Sequence, residues 1–147
     1  MSTLSERPGS DSGTGHELVD HTSEVTLRLR APTFPALLAE ATHAFAGLVP
    51  SALRGMADDR WRDFRLRAPD RAAQLVEWLN EVVYSCEAEQ WLPTEVETEQ
   101  GDGGGVRIRA RGVALAAPFV LVKAATLHNA SVREGSDGLE GEVTLDV

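Results

Sequence analysis

The strongest constraint in this chain is a single apolar stripe. Between Arg71 and Glu89, the residues Ala72, Leu75, Val76, Leu79, Val82, Val83 and Cys86 recur at helical spacing. Asp70, directly after Pro69, is placed to cap the first turn by accepting a backbone N–H bond. A helix with one apolar face has to bury it, so residues 71–89 predict the central core element. The rest of the chain must supply the surface that covers it.

A second helix is predicted from Phe34, Leu37, Leu38, Ala41, Ala44, Phe45 and Leu48, with Thr33 as cap, Pro35 in its first turn and an end near Pro50. Strand signals surround both helices. Val25, Leu27 and Leu29 alternate with Thr26, Arg28 and Arg30, and Phe64 and Leu66 alternate with Arg65 and Arg67 within residues 60–68. Residues 94–100 and 106–112 flank GDGGG and predict a hairpin; its glycines join two strands, which makes them turn residues and a poor phosphate loop. Residues 126–134 and 140–147, linked by GSDG, predict two closing strands. The expected architecture is a single α+β domain, with two main helices packed on a mixed or antiparallel sheet of about six strands.

Composition narrows the function classes. A chain of 147 residues is about one domain, and no apolar run approaches the length of a membrane span. Residues 1–15 are rich in Ser, Gly and Thr and lack the apolar core of a signal peptide, so they read as a disordered tail on a cytoplasmic protein. The single cysteine, Cys86, allows no intrachain disulfide and falls on the apolar stripe as core filling. A net charge of -9 opposes general affinity for a phosphate backbone. Of the 14 cations, 13 are Arg and one is Lys, which singles out Lys123.

The densest polar chemistry is VDHTSEV, residues 19–25, at the start of the first alternating strand. Asp20, Glu24 and Asp146 all fall at strand ends or on strand faces, without the His-x-x-x-His or Glu-x-x-His spacing of a transition-metal site. An oxygen-ligand site for Ca²⁺ or Mg²⁺ stays open; so does the plainer reading in which Asp20 and Thr22 cap a turn and Glu24 is solvated. His21 and His128 have no nucleophile beside them and read as satisfied or surface histidines sooner than as a general base. The Arg rows of residues 62–67 and 107–111 read as solvated edge protection sooner than as an RNA track, and the acidic stretch from Glu87 to Asp102 opposes RNA.

Four motifs in order, DHTSE (20–24), QLVEWLNEVVY (74–84), VKAATLH (122–128) and VTLDV (143–147), together resemble the archease family over residues 16–147. The resemblance implies an accessory protein of an RtcB-type RNA ligase, one that promotes ligase guanylylation and multiple turnover in tRNA splicing and RNA repair without catalysing ligation. It implies a divalent cation, Ca²⁺ or Mg²⁺, held by Glu24, Asp146 and an oxygen of Val147, and a partner-activating lysine at Lys123. Asp20, His21 and Thr22 would then shape the loop around the ligands. Glu24 stands where the family usually has Asp; one added methylene suits the looser shell of Ca²⁺ better than the strict octahedron of Mg²⁺. No catalytic residue, no sequence-specific nucleic-acid contact and no membrane contact are expected. The rival readings are a stand-alone metal-dependent phosphoesterase and a general chaperone or interaction domain.

Overall fold

A computed structural model describes residues 13–20 and 23–147, Asp20 by its backbone alone. The described chain runs β1 (Gly15–Asp20), β2 (Glu24–Ala31), α1 (Phe34–Ala46), β3 (Arg54–Leu66), α2 (Arg71–Ala88), β4 (Trp91–Gln100), β5 (Val106–Leu115), β6 (Ala124–Gly135) and β7 (Gly138–Asp146). Seven strands thus form two antiparallel sheets, ordered β1-β2-β7-β6 and β3-β5-β4. The expectation of one sheet of about six strands becomes two sheets around one shared core. Each helix touches both sheets: α1 packs on β2 and β4, α2 on β6 and β4. Most of the expected tail, residues 1–12, lies outside the described residues.

Helix α2 follows its stripe. Leu75, Leu79, Val82 and Cys86 are fully buried, and Trp78 joins them. Asp70 accepts from the Ala73 N–H at 2.9 Å, and the Glu77 carboxylate accepts from the N–H groups of Arg67 and Ala68, clasping the turn that leads into the helix. On α1, Thr33 caps the Ala36 N–H at 3.2 Å; the helix closes at Gly47, ahead of Pro50. The two helices are joined inside the core, where the Trp78 indole N–H donates to the Thr42 hydroxyl at 2.9 Å and that hydroxyl donates to the Leu38 carbonyl at 2.8 Å.

The sheets bury one face each. Leu27, Leu29 and Ala31 of β2 with Leu139, Val143 and Leu145 of β7 face the helices from one side; Val106, Ile108 and Ala110 of β5 face them from the other, and Trp91 and Leu92 of β4 are buried as well. β1 takes in only Gly15 of the expected tail and Val19 and Asp20 of the polar lead into β2, and is not among the expected strands. It is an edge strand held by its ladder to β2 and by a hydrogen bond between the His16 ring and the Glu40 carboxylate of α1. β3 begins earlier than its alternation does, at Arg54, and pairs with β5 through two register shifts. β5, expected to carry arginines on an edge, is the central strand of its sheet. The β6–β7 hairpin needs Gly138, whose φ of 136° is rare for any other residue and where a side chain would meet the Ala31 carbonyl at 2.7 Å.

Candidate functional site

At one end of the four-stranded sheet the outer face turns acidic. The antiparallel register sets Glu24, the first residue of β2, directly opposite Asp146, the last of β7. Their neighbours Val25 and Leu145 are also paired and pack on the core, so Glu24 and Asp146 project from the other face. Side chains directly opposite one another in such a pair have Cβ atoms about 4.5–5.5 Å apart. Two carboxylates at that spacing repel unless a cation is near. Among the described residues neither forms an ion pair. The next row is hydroxyl-bearing: Thr144 lies opposite both Thr26 and Thr126.

The ladder continues past this pair. The Val147 N–H donates to the Ser23 carbonyl at 3.2 Å, and the Lys123 N–H donates to the Asp146 carbonyl at 2.8 Å. The Val147 side chain packs against the core, so what this residue can offer a cation is main-chain oxygen. Lys123 is exposed and, among the described residues, forms no ion pair. Glu24, Lys123 and the adjacent Asp146 and Val147, from three separate stretches of sequence, therefore share one end of one sheet.

Asn80 is a residue that sequence reasoning missed. Its side-chain amide donates to the Ala125 carbonyl at 3.0 Å, and its carbonyl oxygen accepts from the Ala125 N–H at 2.9 Å. Asn80 thereby acts as a one-residue neighbour for β6, an edge strand, where its ladder begins. Lys123 sits between this clamp and its own bond to Asp146. Upstream, the Phe119 N–H donates to the Cys86 carbonyl at 3.2 Å, so residues 119–125 are tied along α2 at both ends. The available signal was an amide side chain interrupting the apolar run from Trp78 to Val83.

The other candidates fall out separately. The backbone of Asp20 ends β1 opposite Val25, at the same end of the sheet; its side chain, His21 and Thr22 lie outside the described residues. Among the described residues no three His, Cys, Asp or Glu side chains gather as a metal cluster. Among the described residues, the oxygen donors at this end are the carboxylates of Glu24 and Asp146 and main-chain oxygen. His128 is exposed, within a bulge of β6 where Asn129 has a φ of 60°. The Arg row of β5 is matched by acids: Arg107 pairs with Asp63 at 3.2 Å, Arg109 with Glu97 at 3.4 Å, and Arg111 with Glu95, while Trp61 lies beneath Arg109 and Arg111. An arginine row already neutralised in this way is a poor track for phosphates. Cys86 is buried, and burial pushes its thiol up to about 12, which suits core filling and not nucleophilic chemistry.

The model of the archease protein family (MTH1598/TM1083) matches residues 16–147. The chain belongs to the archease family. Archeases from Methanosarcina barkeri and Archaeoglobus fulgidus are 24% and 27% identical to it, over 94% and 90% of this chain and 99% and 98% of theirs. The fold matches the solution structure of protein 1598 of Methanobacterium thermoautotrophicum with a TM-score of 0.67 at 17% identity, over 92% of this chain and 99% of that one. It also matches the crystal structure of a Thermotoga maritima archease, described as a possible chaperone, with a TM-score of 0.56 at 15% identity, over 99% and 100% of the two chains. The archease match takes in both sheets and both helices, and with them every residue of the acidic end. Among the described residues no helix is long and apolar enough to cross a membrane.

Proposed function

We propose that this protein is a non-enzymatic accessory activator of an RtcB-type RNA ligase, acting in the cytoplasm to promote guanylylation of the ligase and its multiple turnover in tRNA splicing and RNA repair. The observation that carries the reading is the register that sets Glu24 opposite Asp146 while Lys123 bonds to the main chain of that same Asp146. Membership of the archease family supports it at the coarser level of an accessory protein.

The donor set suits a hard divalent cation. Two facing carboxylates and main-chain oxygen at Val147 are all oxygen ligands, and no basic side chain pairs with either acid among the described residues. Glu24, Asp146 and Val147 would hold Ca²⁺ or Mg²⁺, the longer reach of Glu favouring Ca²⁺. When bound, the cation supplies a positive centre that can engage phosphate or carboxylate oxygens of the ligase. Lys123 supplies a second positive charge, a compact ammonium on a flexible stem whose main chain is held by Asp146. Asp20, His21 and Thr22 would shape the loop around the ligands.

The purified protein, incubated with an RtcB-type ligase, GTP and Mn²⁺, should increase the rate at which guanylate becomes covalently attached to the ligase. No increase at any ratio of the two proteins overturns the reading. Hydrolysis of a phosphate ester by the protein alone would favour a phosphoesterase instead. Equal protection of an unrelated, aggregating enzyme would favour a general chaperone.

A further inference from the structure

Five large apolar side chains stand exposed among the described residues, and four of them lie on α2, on β6 and on the segment between β5 and β6 that carries Lys123. Val120 (60% exposed) and Leu121 (55%) precede it, Leu127 (65%) follows it, and Tyr84 (59%) lies on α2 one turn beyond Asn80. Single exposed apolar residues need no explanation, but a group does. The group is held in place by two contacts already described. Phe119 is bonded to Cys86 and Ala125 to Asn80, so Val120 and Leu121 run beside the stretch of α2 that carries Tyr84. Leu127 follows in the β6 bulge.

Tyr84 is the telling member. In QLVEWLNEVVY, Leu75, Trp78, Leu79, Val82 and Val83 build the core and Asn80 clamps β6. Tyr84 does neither and points its ring outward. The charge around the patch indicates what covers it. Glu81 and Glu87 are exposed on α2 on either side of Tyr84, and Glu24 and Asp146 lie at the nearby sheet end; none of the four is ion-paired among the described residues. An acidic rim on a chain of net charge -9 complements a basic surface. An enzyme that holds RNA carries such a surface around its active site, because binding phosphates requires it.

We infer that Tyr84, Val120, Leu121 and Leu127 form the docking surface for the RNA ligase, which seats an apolar patch bordered by Arg and Lys against them. The inference rests on the ligase reading above and deepens it. The apolar patch supplies affinity, with Tyr84 as an aromatic anchor. The acidic rim supplies orientation. Lys123 and the Glu24–Asp146 pair are thereby delivered to the ligase, and they need not contribute much to binding themselves.

Calorimetric titration of the ligase with the parent, Tyr84→Ala, Leu121→Glu and Met56→Glu separates docking from activation. Both patch variants should raise Kd by about tenfold or more, with parental circular dichroism and melting temperature because both side chains are exposed. Guanylylation should then need correspondingly more protein to reach half of its maximal rate, with the maximal rate retained. Met56→Glu, on the exposed apolar residue outside the patch, should bind as the parent does. Parental affinity in both patch variants, or equal loss in Met56→Glu, overturns the docking surface while the ligase reading stands if the parent accelerates guanylylation. Patch-dependent binding without acceleration overturns the activator reading and leaves the surface. A parent that does not bind overturns both.

Discussion

Asn80 and Ala125 exchange two hydrogen bonds, at 3.0 and 2.9 Å, across 45 positions of sequence. A helix side chain here completes the ladder of an edge strand. The segment it fixes is the one that carries Lys123.

Removing that amide should cost both stability and activation. Asn80→Ala leaves the part-buried N–H and C=O of Ala125 without their partner, a loss of about 1–3 kcal/mol. Asn80→Asp keeps the acceptor for the Ala125 N–H and loses the donor, so it should fall between Ala and the parent. Urea unfolding gives the ranking. Parental stability in Asn80→Ala would show that the clamp holds nothing.

The facing carboxylates predict a stability that depends on divalent cation. In chelator, Asp146→Asn should be as stable as the parent or more so, by about 0.2–1 kcal/mol, because it removes a like-charge pair. With Ca²⁺ at one hundred times its Kd the parent should gain about 2.7 kcal/mol and the variant much less. Thermal melts with and without Ca²⁺ decide this. An equal shift in both proteins would place the ion elsewhere.

Lys123 is predicted to serve the partner and not the fold. It is exposed, and its structural bond to Asp146 is made by its main chain, which substitution preserves. Lys123→Ala should stay within about 0.5 kcal/mol of parental stability and lose most of the ligase activation. Lys123→Arg keeps the charge but spreads it over a planar fork, and should restore activation only in part. Full activation by Lys123→Ala would remove the residue from the mechanism.

Cys86 should behave as a chemically silent thiol until the protein unfolds. Burial lifts its pKa from 9.0 to about 12, so the folded chain keeps a proton that the unfolded chain releases. The stabilising contribution is complete below pH about 9 and is lost as pH rises toward 12. At pH 8 the native protein should react with Ellman's reagent only as fast as it opens, and promptly in urea. Prompt reaction of the native protein would contradict this burial.

What could be read from sequence was local. Leu75, Leu79, Val82 and Cys86 share a helical stripe because a helix repeats every 3.6 residues, and their burial follows from that repeat. Thr33 and Asp70 are caps for the same local reason. Val106, Ile108 and Ala110 face inward because a strand alternates, and the motif order from DHTSE to VTLDV marked the archease family. β1 was not legible: GHELVD has little alternation, and this edge strand is held by backbone bonds that any side chain permits. The exposed first half of β3 was hidden for the same reason.

Only the tertiary structure decided which strands are neighbours. Alternation says which face of a strand is buried and is silent about what lies beside it, so the split into two sheets and the central place of β5 were invisible in the chain. The candidate site depends on that choice. Glu24 and Asp146 were each visible as strand-end acids, but their direct opposition comes from the β2–β7 register, and the link between Asn80 and Ala125 from the packing of α2 against β6. Backbone hydrogen bonds make a ladder from almost any sequence; the register is chosen by the whole core that must close behind it.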